Sequence, residues 1–503
     1  MRCTVADCVA ANARAFPDRV AIEVLHRRDT GAAVAESWTY GAAWRRVCAL
    51  AQAIGPDHTG GRVAILLPNS ADHVFAYLAV MLVGAASVPV NSRLAGAEID
   101  FVLTDSASAV IITGHEFLVT ASAAAERVGA RVIDVTTVPE AATDPWVGPT
   151  GDRAGAEVAM VSYTSGTTGF PKGAAFTNDA LLTRFAQWGW TFGLSPDQVL
   201  SIPGPLFHGS YGGLALAHLV SGGRSRIMSA FEPSVALDEY ATESSWVFLV
   251  PSMLALVAEA WDTAGQPPLR ALRWMLSSGA PGPMSLLDRA FDVFPNAHII
   301  EAYGWTEGGW VTYEVKDRAA LVPHSVGWPM LGSELTVIDP DSGSRLAVGE
   351  PGEVCARSIV PFAGYLDNAE ATSAATTADG FLRSGDVGVL LADGRLTIVD
   401  RVKDMIISGG ENVYCAEVER VLVEHPAVLE AAVVGRPDDV WGERVVGAVV
   451  LRSGSETTAS DLIEFARARL AHYKCPKQIN FLDALPRNPM GKVQKFRLVE
   501  LLA

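Results

Sequence analysis

Eleven consecutive residues constrain this chain more than any others: Tyr163-Thr164-Ser165-Gly166-Thr167-Thr168-Gly169-Phe170-Pro171-Lys172-Gly173. An apolar run from Val158 to Val161 precedes them and reads as a buried strand. Glycines let a backbone turn its N–H groups inward, hydroxyls add donors, and a lysine adds a point charge. That composition suits a polyphosphate, and taken alone it suits an ordinary Gly/Thr loop equally well. A short strand, Ala174 to Phe176, follows. Thr177-Asn178-Asp179 then opens a helix toward Trp190. A Walker loop is excluded, because Pro171 stands where Gly-x4-Gly-Lys needs its second glycine.

The rest of the chain must supply partners for a bound nucleotide. At 503 residues, at least two domains are expected. A formal charge of −17 argues against a nucleic-acid partner. The start lacks a long apolar stretch. Gly84 and Pro89 break the most apolar run, Val74 to Val90, into a buried helix and a strand. No integral membrane contact is expected. Cys3, Cys8, Cys48, Cys355, Cys415 and Cys475 form no CxxC pair, which fits a reduced cytoplasm without a zinc site.

Up to about residue 150, strands alternate with helices (Val63 to Leu67, His73 to Val83, Ala86 to Val90, Val110 to Thr113, Val132 to Val135), which predicts a largely parallel sheet. His73 and His115 read as packing or surface histidines. His208 stands between an apolar run and a Gly-rich helix start, where a packing role is the commoner one. Strands are expected at Leu272 to Leu276, ending at Ser277-Ser278-Gly279-Ala280-Pro281, and from His298, ending at Glu301-Ala302-Tyr303-Gly304-Trp305-Thr306-Glu307. In doubly wound sheets ligands sit beyond the carboxyl ends of strands. These two ends therefore define one crevice, with Tyr303 to stack on a base, Thr306 to meet phosphate and Glu307 to hold Mg²⁺. Ser384-Gly385-Asp386 reads as a turn before a strand around Val389. Leu396 to Val399 is a strand running into the charged break at 400–404. Beyond it, helices from Ala416 to Val423 and Asp461 to Leu470, with strands Ala431 to Val434 and Val445 to Leu451, make a small α+β unit.

Together these motifs, in this order with Pro205–His208, Asp400–Tyr414 and Pro486–Lys492, give a chain that resembles the adenylate-forming superfamily. That superfamily holds acyl-CoA synthetases, peptide-synthetase adenylation domains and beetle luciferases. The resemblance implies an α/β fold: a large N-terminal domain with doubly wound sheets (1–399), a hinge (400–404) at Asp400, and a small mobile α+β C-terminal domain (405–503). It implies ATP, Mg²⁺ and coenzyme A as cofactors. Thr164, Ser165, Gly166, Thr167, Thr168, Gly169 and Lys172 would enclose phosphates. Gly279, Ala280, Pro281 and Tyr303 would form the adenine slot, Glu301, Ala302 and Gly304 would be further cofactor-binding residues, and Asp386 would bind the ribose hydroxyls with Arg401 nearby. Thr306 would touch phosphate and Glu307 order the metal. Lys492 and His208 complete the catalytic set. Ser408, Gly409, Gly410 and Glu411 would line the CoA tunnel. The family's Ser/Thr-His pair is Thr177-Asn178 here, and Ala174 and Ala175 are smaller than usual.

His208, Tyr211, Gly212, Trp305 and Gly308 are the expected acyl-pocket residues. The glycines near His208 and Glu307 leave two readings open, a roomy pocket or close helix–strand packing. No basic cluster marks these segments, so the expected substrate is a bulky apolar acid: aryl, alicyclic, terpenoid or medium-chain. Alternatives are an enzyme that mainly thioesterifies a supplied acyl-adenylate, or one that loads a carrier protein. A monomer or homodimer is expected.

Overall fold

The computed structural model describes residues 3–27, 33–140, 157–164, 171–280, 282–408, 411–438, 441–487 and 493–502. The apolar run at 74–90 behaves as its punctuation dictates. Ser70 caps the helix Ala71–Val83 by accepting from the His73 N–H, and Gly84, at φ +79°, ends it. Strand Ala86–Pro89 follows in the middle of a six-stranded sheet. Strands Arg131–Asp134, Val110–Thr113, Arg62–Leu66, Ala86–Pro89 and Val158–Thr164 lie side by side in parallel. Lys172–Thr177 closes the edge antiparallel. His73 is fully buried, and burial pulls its imidazole down to about 4, the behaviour of a packing residue.

A 13-stranded sheet carries the second half of the large unit. Its central strands, among them Trp246–Leu249, Trp274–Ser277 and His298–Trp305, run parallel, and Gly309–Val315 then turns back antiparallel. Three local expectations change here. The strand expected from Leu272 starts at Trp274, where pairing with Trp246 and His298 begins; the Leu272 N–H goes instead to the Tyr240 carbonyl. The strand from His298 runs through Trp305 and does not stop at Glu301, because pairing with Gly309–Val315 continues it. Ser384-Gly385-Asp386 lies inside strand Leu382–Leu390, not before it. Between the Val387–Glu353 and Arg383–Cys355 pairs these three residues swell out of the ladder, with Gly385 at φ +72°.

The C-terminal unit is a five-stranded sheet with helices Cys415–Val423, Ala459–Arg467 and Lys495–Leu501. Thr458 and Asp461 form a capping box, so the second of these helices starts slightly earlier than expected and ends at Arg467. Among the described residues, side-chain hydrogen bonds tie this unit to the large one. Asp400 accepts from the Ala416 N–H at 3.2 Å, placing a carboxylate at a helix N-terminus. The second contact is Arg420 Nη1 donating to His324 Nε2 at 2.7 Å.

The second contact needs a neutral imidazole. Burial, then the Arg420 charge, holds His324 below its ordinary value. The folded protein binds fewer protons there than the unfolded chain, so the contact contributes fully above the unperturbed histidine range and fades as pH falls through the lowered value. Between pH 8 and pH 5 the wild type should lose about 0.5 kcal/mol more stability than His324→Asn, after discounting for solvent screening. Thermal melts of both proteins across that range measure the difference; parallel curves would exclude the titration.

Candidate active site

The Gly/Thr-rich motif spans the hairpin made by Val158–Thr164 and Lys172–Thr177. Thr164 pairs with Lys172, so both ends of the intervening loop are fixed in register. Ser165, Gly166, Thr167, Thr168 and Gly169 lie outside the described residues, as do Pro281, Gly409, Gly410 and Lys492. The far side of Lys172–Thr177 is covered by 363–366, where Ala174 bridges Tyr365 and the Leu366 N–H donates to the Gly173 carbonyl at 2.8 Å. Ala174 and Ala175 are buried here, and their small side chains admit this neighbour. Asn178, in the place of the family's histidine, is buried and accepts from the Val5 N–H at 3.4 Å.

Tyr365 brings the two sheets' chemistry together. Its hydroxyl donates to Glu307 Oε1 at 2.6 Å, and Lys172 Nζ lies 5.3 Å from its ring centroid. Burial and the Glu307 charge push the phenol upward, so it stays a donor. The turn after Trp305 therefore holds a half-buried carboxylate beside the mouth of the phosphate hairpin. The Glu307 carboxylate offers hard oxygen donors, the kind a Mg²⁺ ion takes. Among the described residues no group of three or more His, Cys, Asp or Glu is placed to hold a metal on its own.

On the next strands, Asp386 accepts from the Tyr303 hydroxyl at 2.8 Å and pairs with Arg401 Nε at 3.3 Å. Asp386 and Arg401 are direct cross-strand partners. Ser384 donates to the Val354 carbonyl and accepts from the Asp386 N–H at 3.0 Å, which fixes the bulge that aims Asp386. Burial, then Asp386, drives the Tyr303 phenol well above its ordinary value. Gly279, at φ +90°, and Ala280 are exposed at the end of Trp274–Ser277. Trp310 Nε1 donates to the neighbouring Ser278 Oγ at 2.9 Å. Glu301 is drawn aside: Lys316 Nζ takes it at 2.9 Å. Ala302 is buried, and Thr306 sits half-buried on the turn.

His208 caps the helix Gly209–Ser221, its Nδ1 accepting from the Ser210 N–H at 3.3 Å. Tyr211 is set in the core, against Phe248 and Met253. The glycine question is decided locally. A Cβ on Gly212 would collide with the Leu206 carbonyl, one on Gly213 would lie 3.1 Å from Trp188, and one on Gly308 would lie 2.9 Å from Trp305. These three glycines serve close packing, whereas a Cβ on Gly209 would make only an ordinary contact, 3.9 Å from Ser162 Oγ. In the small unit, Ser408 is buried and Glu411 exposed across the 408–411 hairpin. Asp400 is raised by burial, opposed by Lys495 and two backbone N–H groups.

Sequence reasoning missed Tyr365 and Arg184. Nothing around Tyr365 marks it. Arg184 had a signal: it falls at helical spacing among the apolar Leu181, Phe185 and Trp188.

Glu307 follows a strand that runs parallel to its neighbour Trp274–Ser277, the place where doubly wound sheets hold ligands, and Asp386 and Arg401 face each other on the adjoining antiparallel strands. The AMP-binding enzyme family matches residues 9–366, and its C-terminal domain matches 417–492. The feruloyl-CoA synthase of Amycolatopsis sp is 36% identical over 91% of this chain and 92% of its own. A 3-[(3aS,4S,7aS)-7a-methyl-1,5-dioxo-octahydro-1H-inden-4-yl]propanoyl:CoA ligase of Mycobacterium tuberculosis is 33% identical over 97% of both chains. Bacillus subtilis o-succinylbenzoate CoA synthetase, solved with its acyl-adenylate intermediate, superposes with a TM-score of 0.85 at 29% identity, covering 98% of this chain and 97% of its own. The chain belongs to the AMP-binding enzyme family, as an AMP-forming acid–thiol ligase of the acyl-CoA ligase type that uses ATP and CoA. Among the described residues no helix is long and apolar enough to cross a membrane.

Proposed function

We propose that the protein activates a bulky, largely apolar carboxylic acid, aryl or alicyclic, as its acyl-adenylate and transfers the acyl group to CoA. The observation that carries this reading is the convergence of Tyr303, Asp386 and Arg401 with the Glu307 turn and the hairpin bearing Lys172. The aromatic wall of Phe185, Trp188 and Trp310, with Trp188 and Trp310 rings 4.7 Å apart, favours a bulky acid, as do relatives named for cyclic acids.

In this mechanism the acid's carboxylate attacks the α-phosphorus of ATP and pyrophosphate leaves. Both reactants are anions, and they repel until neutralised. Lys172 and the loop donors take the leaving phosphates, and Lys492 bridges carboxylate and α-phosphate. A Mg²⁺ held by Glu307 would add charge neutralisation at the phosphates. The small unit then turns about Asp400, Lys492 withdraws, and the hairpin Ser408 to Glu411 enters to line the pantetheine channel. The CoA sulfur attacks the acyl carbonyl, and thioester and AMP leave.

Mass-spectrometric screening of an acid panel with ATP, Mg²⁺ and CoA, run beside preformed acyl-adenylates, tests this. Thioester from both arms supports the full reaction. Product from the adenylates alone leaves a thioesterifying enzyme, product only on a phosphopantetheinyl carrier redirects the acceptor, and no product in any arm overturns the reading. A smaller effect follows from the ribose site. Tyr303→Phe removes one hydrogen bond to Asp386, worth about 1.5 kcal/mol to a charged acceptor. Steady-state kinetics should show roughly a tenfold higher KM for ATP with the KM for CoA unchanged; an unaltered ATP dependence would remove Tyr303 from that role.

A further inference from the structure

The helix Asn178–Phe192 turns Leu181, Phe185, Trp188 and Phe192 into the core, and Arg184 lies on the same face. Its side chain is buried, with the residue only 7% exposed. The guanidinium rests 4.4 Å from the Phe176 ring centroid. Its edge meets the Gly309 backbone, where a Cβ would stand 3.2 Å from Nε and 3.3 Å from Nη2. Neither Nε nor Nη2 has a hydrogen-bond partner among the described residues. Glu307 gives only partial relief: burial pulls the guanidinium down to about 10 while the Glu307 charge opposes it, and that carboxylate already accepts from Tyr365.

Two more buried donors are unmatched nearby. Trp188 Nε1 lies one helical turn on, and Trp305 Nε1 belongs to the indole beneath Gly308; neither has a partner among the described residues. Three neighbouring side chains thus offer buried N–H groups with no matching acceptor among the described residues. A charge buried without a partner destabilises a fold unless something else supplies the acceptor, and a site built around such donors selects ligands that carry one.

We propose that Arg184, assisted by the Trp188 and Trp305 indoles, binds an acceptor-oxygen group, a carboxylate or a ketone, at the end of the acid remote from the carboxylate that is activated. This rests on the acyl-CoA ligase reading of the site and narrows it: the acid is bulky and apolar along its length, with an oxygen function at its tip. The acyl segments themselves carry no basic cluster; Arg184 comes from outside them, on the helix Asn178–Phe192.

Three matched acids test this on the full-length protein: 3-cyclohexylpropanoate, 3-(4-oxocyclohexyl)propanoate and 3-(4-carboxycyclohexyl)propanoate. In the wild type kcat/KM should favour at least one oxygenated acid over the hydrocarbon by about tenfold or more. Preference for the second carboxylate identifies an anion at the tip, and preference for the ketone identifies a neutral acceptor. Arg184→Met should shrink the preference to within about threefold, leave the KM values for ATP and CoA unchanged, and melt no lower than the wild type without ligand. A wild type that prefers the hydrocarbon, or a variant that keeps the oxygen preference, overturns the inference while the ligase reading stands. If Arg184→Met does not fold, the wild-type ratios alone decide. If none of the acids and no preformed adenylate is converted, the ligase reading fails and this inference falls with it.

Discussion

Lys492→Ala should slow adenylation about 30- to 1000-fold while leaving the conversion of supplied acyl-adenylate to thioester nearly intact. The asymmetry follows from charge. In the first half-reaction a carboxylate approaches a polyanion, and one ammonium between them removes a repulsion that peaks as the new P–O bond forms. Losing such a charge-assisted contact costs on the order of 2–4 kcal/mol in the barrier. In the second half-reaction the nucleophile is a thiol or thiolate and the electrophile an acyl carbonyl, and the proposed turn about Asp400 has already carried Lys492 away. Pyrophosphate release and thioester formation measured separately check the split. Equal losses in both would remove Lys492 from that role.

Gly304→Ala should destabilise the protein by about 2–4 kcal/mol and depress both half-reactions together. Gly304 sits at the register shift where His298–Trp305 pairs with Gly309–Val315. A Cβ there would run into the Gly309 carbonyl oxygen and lie 2.6 Å from its carbon and 2.7 Å from the Trp310 Cα. Those atoms are backbone, so no rotamer change relieves the clash, and the strands must part. The same hairpin aims Tyr303 at Asp386 and holds Glu307 beside Tyr365. Denaturant unfolding reads the stability term, and ATP binding by titration reads the loss of the site. An alanine variant of wild-type stability would show that the hairpin is more pliant than its geometry indicates.

Much of this architecture is legible in the amino-acid sequence alone. The buried run at 74–90, with Gly84 and Pro89 as punctuation, marks out helix and strand nearly to the residue, because burial on all sides needs no tertiary information. The hairpin at 158–177 is equally plain. Positions governed by cross-strand pairing are not. Ser384-Gly385-Asp386 carries every local sign of a turn, yet the pairing on either side keeps it in a strand as a bulge. Glu301 belongs to the motif by position, yet Lys316, a distant-looking lysine, takes its carboxylate. Tyr365 is invisible in the sequence because its relation to Glu307 spans two sheets. The glycines of the acyl segments read two ways because a missing side chain leaves space or lets a neighbour in, and only the neighbour's identity decides.

That last point bears on how this scaffold can be re-engineered. A combinatorial library that randomises Gly212 would spend most of its members on chains that collide with the Leu206 carbonyl, and changes at Gly213 or Gly308 would require Trp188 or Trp305 to give way. On the proposed reading of Arg184 and the two indoles, diversity placed at Trp305, Trp188 and Arg184 would change which acids are taken. The glycines are the mould, and new substrates must be sought in the side chains that line it.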